Sequence, residues 1–254
     1  MIKDNTKWAL ITGALGGIGQ SLVHEFSEAG YSVIATDVKD NSDEFVSFSN
    51  VFFLQLDLEL IALSDDFSKD FYREVYELTD GKGINSLINN AAIQILSPSK
   101  DMSREQWATS FNVNVTAPFF LSQLFLDDLK KHSGSIVNIS SIHSTQTKKN
   151  FVAYATTKAA LSSMTRNMVL DLGNQVRINA IEPAAIATDM LKAGFAGKEE
   201  KYRELEAFHP IGRVGTPSEV AKLAVFLSSD ESGFVQGACI SASGGITGCL
   251  SDPD

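Results

Sequence analysis

The run Thr12-Gly13-Ala14-Leu15-Gly16-Gly17-Ile18-Gly19 lies between a short apolar segment, Trp8 to Ile11, and a helical pattern from about Ile18 to Ala29. Few features restrict a fold more. A strand must deliver the chain into a tight turn, and a helix must start at once. Glycines there let the backbone turn sharply and let a bulky anion approach it closely. The helix after the turn offers free N–H groups and the positive end of its dipole. Strand, glycine-rich turn and helix in this order point to a bound dinucleotide pyrophosphate.

The rest of the chain repeats the alternation. Gly30 stops the first helix, as a glycine past a helix end often does. Strands are expected at Tyr31 to Thr36, ending on Asp37, and at Val51 to Leu56, ending on Asp57. A helix over Asp65 to Leu78 leads to a strand at Ser86-Leu87-Ile88, followed by Asn89-Asn90-Ala91-Ala92. Ser103-Arg104-Glu105-Gln106 is a capping box that opens a long helix. Then come a strand over Gly134 to Ile139, a helix over Val152 to Leu172 and a strand over Arg177 to Ile181. Thr216-Pro217 starts a late helix, Ser218 to Leu227, and Gly237 to Ile240 forms the last strand. Short apolar strands alternating with helices indicate an α/β chain of right-handed βαβ units. The expected architecture is a doubly wound parallel sheet of about seven strands, with helices on both faces, in one domain spanning residues 1–254. Residues 189–214, rich in charge and glycine, read as an irregular excursion, either a lid over a pocket or a surface feature.

Composition narrows the function classes. Of 254 residues, 44% are apolar and 20% charged, which suits one globular domain with a sizeable core. The net charge of −10 opposes non-specific binding to nucleic acid, which needs cations against phosphates. No stretch approaches the roughly 20 apolar residues of a membrane span, and Trp8 to Ile11 is too short for a signal h-region. Cys239 and Cys249 make neither a disulfide framework nor a zinc motif, so a cytoplasmic protein with reduced thiols is the expectation. His24, His132, His143 and His209 are scattered, and no metal site is expected.

Tyr154-Ala155-Thr156-Thr157-Lys158 carries the chemistry. A phenol and an ammonium four residues apart share one face of a helix. A nearby cation favours the phenolate, and a lowered phenol value suits a general acid/base for an alcohol or ketone. Asp37 follows Gly19 by 18 residues, at a strand end where a carboxylate accepts both hydroxyls of an adenosine ribose and repels a 2′-phosphate. That favours NAD over NADP, with nearby Lys39 as the opposing sign. Asp57, at the end of the third strand, would hold the adenine edge or simply cap a turn.

In these motifs the chain resembles the short-chain dehydrogenase/reductase family in its compact form. The family's Thr-Gly-x-x-x-Gly-x-Gly pattern matches Thr12 to Gly19, and its Asn-Asn-Ala-Gly motif matches Asn89 to Ala92. Asn114 aligns with the family's catalytic asparagine, and Ser141 precedes Tyr154 by thirteen residues, the family's interval. Tyr-x-x-x-Lys is Tyr154 and Lys158, and Pro183 and Thr188 match the residues after the sixth strand. The resemblance covers residues 6–250. It implies a Rossmann fold and hydride transfer between a nicotinamide cofactor and a secondary alcohol or ketone. Tyr154 would be the acid/base. Lys158 would lower the Tyr154 value and hold a ribose, Ser141 would stabilise the substrate oxygen, and Asn114 would position a relay water. Cofactor contacts are expected from Gly13, Leu15, Gly17, Ile18, Gly19, Asp37, Asp57, Leu58, Asn90, Ala91, Tyr154, Lys158, Pro183, Ile186 and Thr188. A homotetramer or homodimer is implied, with Phe111, Phe119, Leu161 and Met164 serving either an interface or the core.

Three departures from the family pattern stand out. Ala92 replaces a glycine, which is tolerable if φ there is negative. Ala184 replaces a glycine beside the nicotinamide. Ser243 replaces a frequent aspartate before Gly244-Gly245. For substrate, Gln94, His143 and Ser141, with Lys148, suggest a polar pocket for a sugar, polyol or hydroxy acid. Phe151 and Met190 would instead line an apolar pocket, as in a 3-oxoacyl or steroid-type ketone reductase. A catalytically silent NAD-binding regulator on the same fold is the other rival.

Overall fold

A computed structural model describes residues 6–250. Seven strands form one parallel sheet: β1 (Lys7–Thr12), β2 (Tyr31–Asp37), β3 (Val51–Gln55), β4 (Ser86–Asn89), β5 (Ser135–Ile139), β6 (Arg177–Pro183) and β7 (Cys239–Ala242). Their order is β3-β2-β1-β4-β5-β6-β7, so the winding reverses between β1 and β4. Alternating side chains feed two cores. Ile11, Val33, Ile88, Val137 and Ile181 face one layer, where α1 (Gly17–Glu28) brings Leu22, Val23 and Phe26 and α10 (Pro217–Ser228) brings Val220 and Leu227. Leu10, Ile34, Leu87, Ile136 and Ile178 face the other. There α3 (Asp65–Leu78) contributes Phe71 and Val75, α5 (Ala117–Leu124) contributes Leu121, and α7 (Val152–Leu172) contributes Leu172. This is the expected doubly wound arrangement.

Three local features differ from the expectation, and a fourth resolves one it left open. A short α2 (Leu58–Leu63) precedes α3, started by Asp57, whose Oδ1 accepts from the Glu59 N–H at 2.8 Å. Six residues are too few for a helical period to show. The long helix after Ser103 is divided: α4 (Arg104–Phe111), a π turn over Asn112–Thr116, α5, and α6 (Leu126–Lys131). The capping box at Ser103 is present. The excursion 189–214 is not irregular, since it holds α8 (Asp189–Gly194) and α9 (Glu199–Ala207). α9 buries none of its residues, so it lacks the apolar stripe that announces a helix. Finally, of the residues left open between interface and core, Leu161 is buried, whereas Phe119 stays partly exposed.

The sheet opens where the winding reverses, and Thr12 ties that place together. Its buried hydroxyl oxygen accepts from the N–H groups of Asn90 and Ala91, both at 3.0 Å. The Asn90 side chain donates back to the carbonyls of Thr12 and Gly13, at 2.8 and 3.1 Å. Thr12→Val keeps the shape and removes the acceptor, leaving two partly buried N–H groups unpaired at about 1–3 kcal/mol each. We expect urea unfolding to show a loss of about 2 kcal/mol or more, largely recovered by Thr12→Ser; a neutral Thr12→Val would show that the hydroxyl does not hold these segments.

Candidate active site

The glycines after β1 are required by contact. A Cβ on Gly13, which has φ +66°, would stand 2.7 Å from Ala91 Cα. A Cβ on Gly19 would stand within covalent distance of the Gly13 carbonyl oxygen, and one on Gly17 would stand 2.9 Å from Thr188 Cγ2. The start of α1 is therefore wedged between the turn and the segment after β6. No side chain caps α1, and its first helical bond is Gln20 N–H to Gly16 O at 2.8 Å. The N–H groups of Gly17, Ile18 and Gly19 thus face the crevice ready for an anion. Asp37 ends β2 with Oδ2 accepting from Leu15 N–H at 3.1 Å and Oδ1 from Lys39 N–H at 3.2 Å. Each oxygen keeps a lone pair for a ribose hydroxyl. These residues fit a dinucleotide.

Its far end would meet the chain after β6. Thr188 caps α8 by accepting from Leu191 N–H at 3.2 Å, and its own N–H donates to Ile186 O at 2.7 Å. The Ile186 N–H has no backbone partner among the described residues, which leaves it for a carboxamide oxygen. The Leu58 side chain is buried in the core. Asp57 is engaged as the α2 cap. Ala184 and Ala92 both sit outside the positive-φ region, so neither strains its backbone.

Tyr154, Lys158 and Ser141 converge, but their electrostatics differ from the sequence reading. Lys158 is buried, with Nζ donating to Ile139 O at 2.7 Å and lying 5.7 Å from the centre of the Tyr154 ring. Burial drives the lysine down to about 7. The Tyr154 phenol is raised above its usual value by burial, while the Ser141 hydroxyl pulls it back down. Lys158 is not among these influences, so the expected lowering by the lysine is corrected here. Burial disfavours the ammonium, and this one is held by a carbonyl.

Asn114 sits in the π turn and is fully buried. It accepts from Ile93 N–H at 2.9 Å and donates to Ile93 O at 2.9 Å and Thr157 Oγ1 at 3.0 Å. Both amide hydrogens are committed, so the side chain braces the chain after β4. His143 stacks on Phe151 at 4.5 Å and meets the Tyr154 ring edge-on at 5.7 Å, with Nδ1 3.0 Å from Thr147 Oγ1. Burial, then the Lys148 charge, lowers its basicity. Phe151 is buried beneath it, with the Lys148 ammonium 4.8 Å above its ring. Gln94 is exposed. The Met190 side chain lies outside the described residues.

One bracing group escaped sequence reasoning. Glu182 Oε1 accepts from the hydroxyls of Ser144 and Ser162, both at 2.7 Å. Ser162 meets Ser140 at 2.8 Å, and Ser140 lies 3.0 Å from Lys158 O. A carboxylate inside the apolar strand Arg177–Pro183 was the available signal.

The family model described as enoyl-(acyl carrier protein) reductase matches residues 13–247. The chain is 35% identical to the 3-oxoacyl-[acyl-carrier-protein] reductase FabG of Thermotoga maritima, over 94% of this chain and 97% of that one. The chain belongs to the short-chain dehydrogenase/reductase family. Its members act on CH–OH and ketone groups with NAD or NADP, and this chain is one of these oxidoreductases. Among solved structures, the aldohexose dehydrogenase of Thermoplasma acidophilum superposes with a TM-score of 0.87 at 28% identity, covering 98% of both chains. ElxO with NADP bound gives 0.87 at 26% identity, covering 96% of this chain and 100% of that one. No helix among the described residues is long and apolar enough to cross a membrane.

In this short-chain dehydrogenase/reductase the buried lysine has a measurable consequence. Its folded value is about 7 against an ordinary 10.5. Between those two pH values the unfolded chain binds a proton that the folded chain does not, so stability rises with pH through that window. Below about 7 both states are protonated, and the folded chain carries the full cost of a buried ammonium. Lys158→Met removes the group, so the rise in melting temperature between pH 7 and pH 10 flattens relative to the parent. Parallel pH profiles for the two proteins would show that the lysine is not depressed.

Proposed function

We propose that the chain is an NAD-dependent dehydrogenase of a hydroxylated small molecule (a sugar, polyol or hydroxy acid), with Tyr154 as acid/base. The observation that carries the substrate class is His143, seated between the Phe151 and Tyr154 rings. It covers Phe151, the apolar surface a lipid or steroid would need, and puts a polar ring beside the reacting phenol. When bound, the nicotinamide supplies the hydride acceptor or donor. In the oxidation direction Tyr154 takes the substrate hydroxyl proton. Ser141 Oγ accepts from His143 N–H at 3.2 Å, and its hydroxyl, which lies on the Tyr154 phenol, would turn to the substrate oxygen when substrate binds. Lys158 holds a ribose hydroxyl, and Asn114 keeps the chain after β4 in place beneath it. The relative that acts on an aldohexose supports the carbohydrate class; the acyl-carrier-protein reductase keeps a ketone-reductase reading in view.

NAD rests on Asp37, whose carboxylate would meet a 2′-phosphate with like charge, although the ElxO structure holds NADP. Calorimetric titration should give tighter binding of NAD than of NADP, and Asp37→Ser should narrow or reverse that order. Equal affinities in the parent would withdraw the preference. A panel of sugars, polyols and hydroxy acids, followed by NADH absorbance, tests the substrate class. Tyr154→Phe should bind NADH as the parent does and turn over roughly 100-fold slower or less; near-parental turnover would remove the tyrosine from its role. NADH binding with no turnover across the panel would favour the silent regulator.

A further inference from the structure

Lys148 stands beside the reacting cluster without a role in the reaction so far described. It belongs to the loop 145–150, between the turn that carries Ser141 and the start of α7, and its side chain is exposed. The loop is anchored at both ends. Gln146 N–H donates to Ile142 O at 2.9 Å, and the Gln146 amide donates to Thr247 O at 3.1 Å. At the other end Ser97 N–H donates to Asn150 O at 3.0 Å. Asn150 turns the chain with φ +70°, a conformation that asparagine tolerates better than most residues. The backbone under Lys148 is therefore held, and the ammonium moves only as its own stem allows.

The Phe151 ring is the hub on which three groups meet. His143 stacks on it at 4.5 Å, Tyr154 stands edge-on to it at 6.2 Å, and the Lys148 ammonium lies 4.8 Å from its centre. Lys148 is near enough to His143 for its charge to lower the basicity of the imidazole, and no carboxylate counters it there. The ring of His143 is thus neutral at pH 7, and the positive charge of the cluster sits on the ammonium. Among the described residues no carboxylate pairs with Lys148, although acidic residues outnumber basic ones by 31 to 21. The ring face is a weak resting place for an exposed ammonium, and a carboxylate is a stronger one.

We propose that Lys148 is the counter-ion of the substrate, and that the hydroxylated molecule turned over at Tyr154 is therefore an acid. Its carbinol meets Tyr154 and Ser141, and its carboxylate draws the Lys148 ammonium off the Phe151 face. Hydroxyls between the two ends meet His143, whose Nδ1 is engaged by Thr147 while Nε2 has no partner among the described residues and is not buried. A neutral sugar or polyol would leave the ammonium unanswered. A steroid or acyl chain would lay apolar surface against an ammonium and a polar ring, which is costly. The assignment rests on Tyr154 as the acid/base of a dehydrogenase.

Matched pairs that differ only in a carboxylate for a CH2OH group test it: glycerate and glycerol, gluconate and sorbitol. With NAD present, the acid of at least one pair should show a kcat/KM roughly tenfold or more above its alcohol. Lys148→Met keeps the stem on Phe151 and removes the charge. It should collapse that ratio through the KM of the acid, Lys148→Arg should restore most of it, and added salt should shrink it in the parent. Binding is read separately from chemistry by imidazole NMR of His143, titrated with the same compounds in the presence of NADH. A saturable His143 shift with the acid, lost in Lys148→Met, supports the counter-ion even where no turnover follows; that outcome removes the dehydrogenase reading alone. Turnover in which alcohols match or exceed their acids overturns the counter-ion and leaves the dehydrogenase. An acid preference unchanged in Lys148→Met overturns it as well, as does the absence of both turnover and any His143 response to the acids.

Discussion

The close approach of two chain segments near the sheet opening governs most of the architecture around it. Gly13 passes so near Ala91 that a single methyl would stand 2.7 Å from its Cα. The Thr12 hydroxyl fastens the same two segments. That contact sets where β1 releases the chain and hence where α1 begins. It also sets how far the Leu15 N–H reaches toward Asp37 at the end of β2. Open sheets of this kind bind ligands where the winding reverses. Here the reversal coincides with a helix start that has no side-chain cap, so the anion seat and the sheet opening are one construction.

Catalytic order is maintained by a different balance. Burying an ammonium is expensive, and Lys158 has only the Ile139 carbonyl to offset the loss of water. Desolvation therefore outweighs the phenol–ammonium attraction that spacing alone suggests. What keeps the group in place is packing and hydrogen bonding from behind. Glu182 pulls on Ser144 and Ser162, and Ser140 links that pair to the Lys158 backbone. The loop with Ser141 and the helix with Tyr154 are thus referenced to the same carboxylate on β6. A carboxylate accepting two hydroxyls is a stiff anchor, since charge-assisted hydrogen bonds are the strong ones.

Periodic features were legible in the sequence. α7 runs from Val152 to Leu172 as read from its pattern, and the capping boxes at Ser103 and Thr216 begin their helices. Each of these depends on residues close in the chain. What was missed depends on something else. α2 and α8 are too short to show a period, and α9 buries nothing that would mark one face. The state of Lys158 depends on burial by distant segments, which spacing does not record.

The π turn at Asn112–Thr116 carries a consequence for chain length. Such a turn holds one residue more than a regular helix would over the same rise. It lets α4 and α5 keep independent rotational settings: α4 packs on α7, while α5 packs on α2 and α3. Asn114, in the middle, is turned toward Ile93 and Thr157. Deleting one residue here would restore a continuous α-helix over the segment. Asn114 would then lose the wide turn that places it against Ile93 and Thr157. Chimeras with related chains must therefore place their junctions outside this segment, because it tolerates exchange of residues far better than a change in their number.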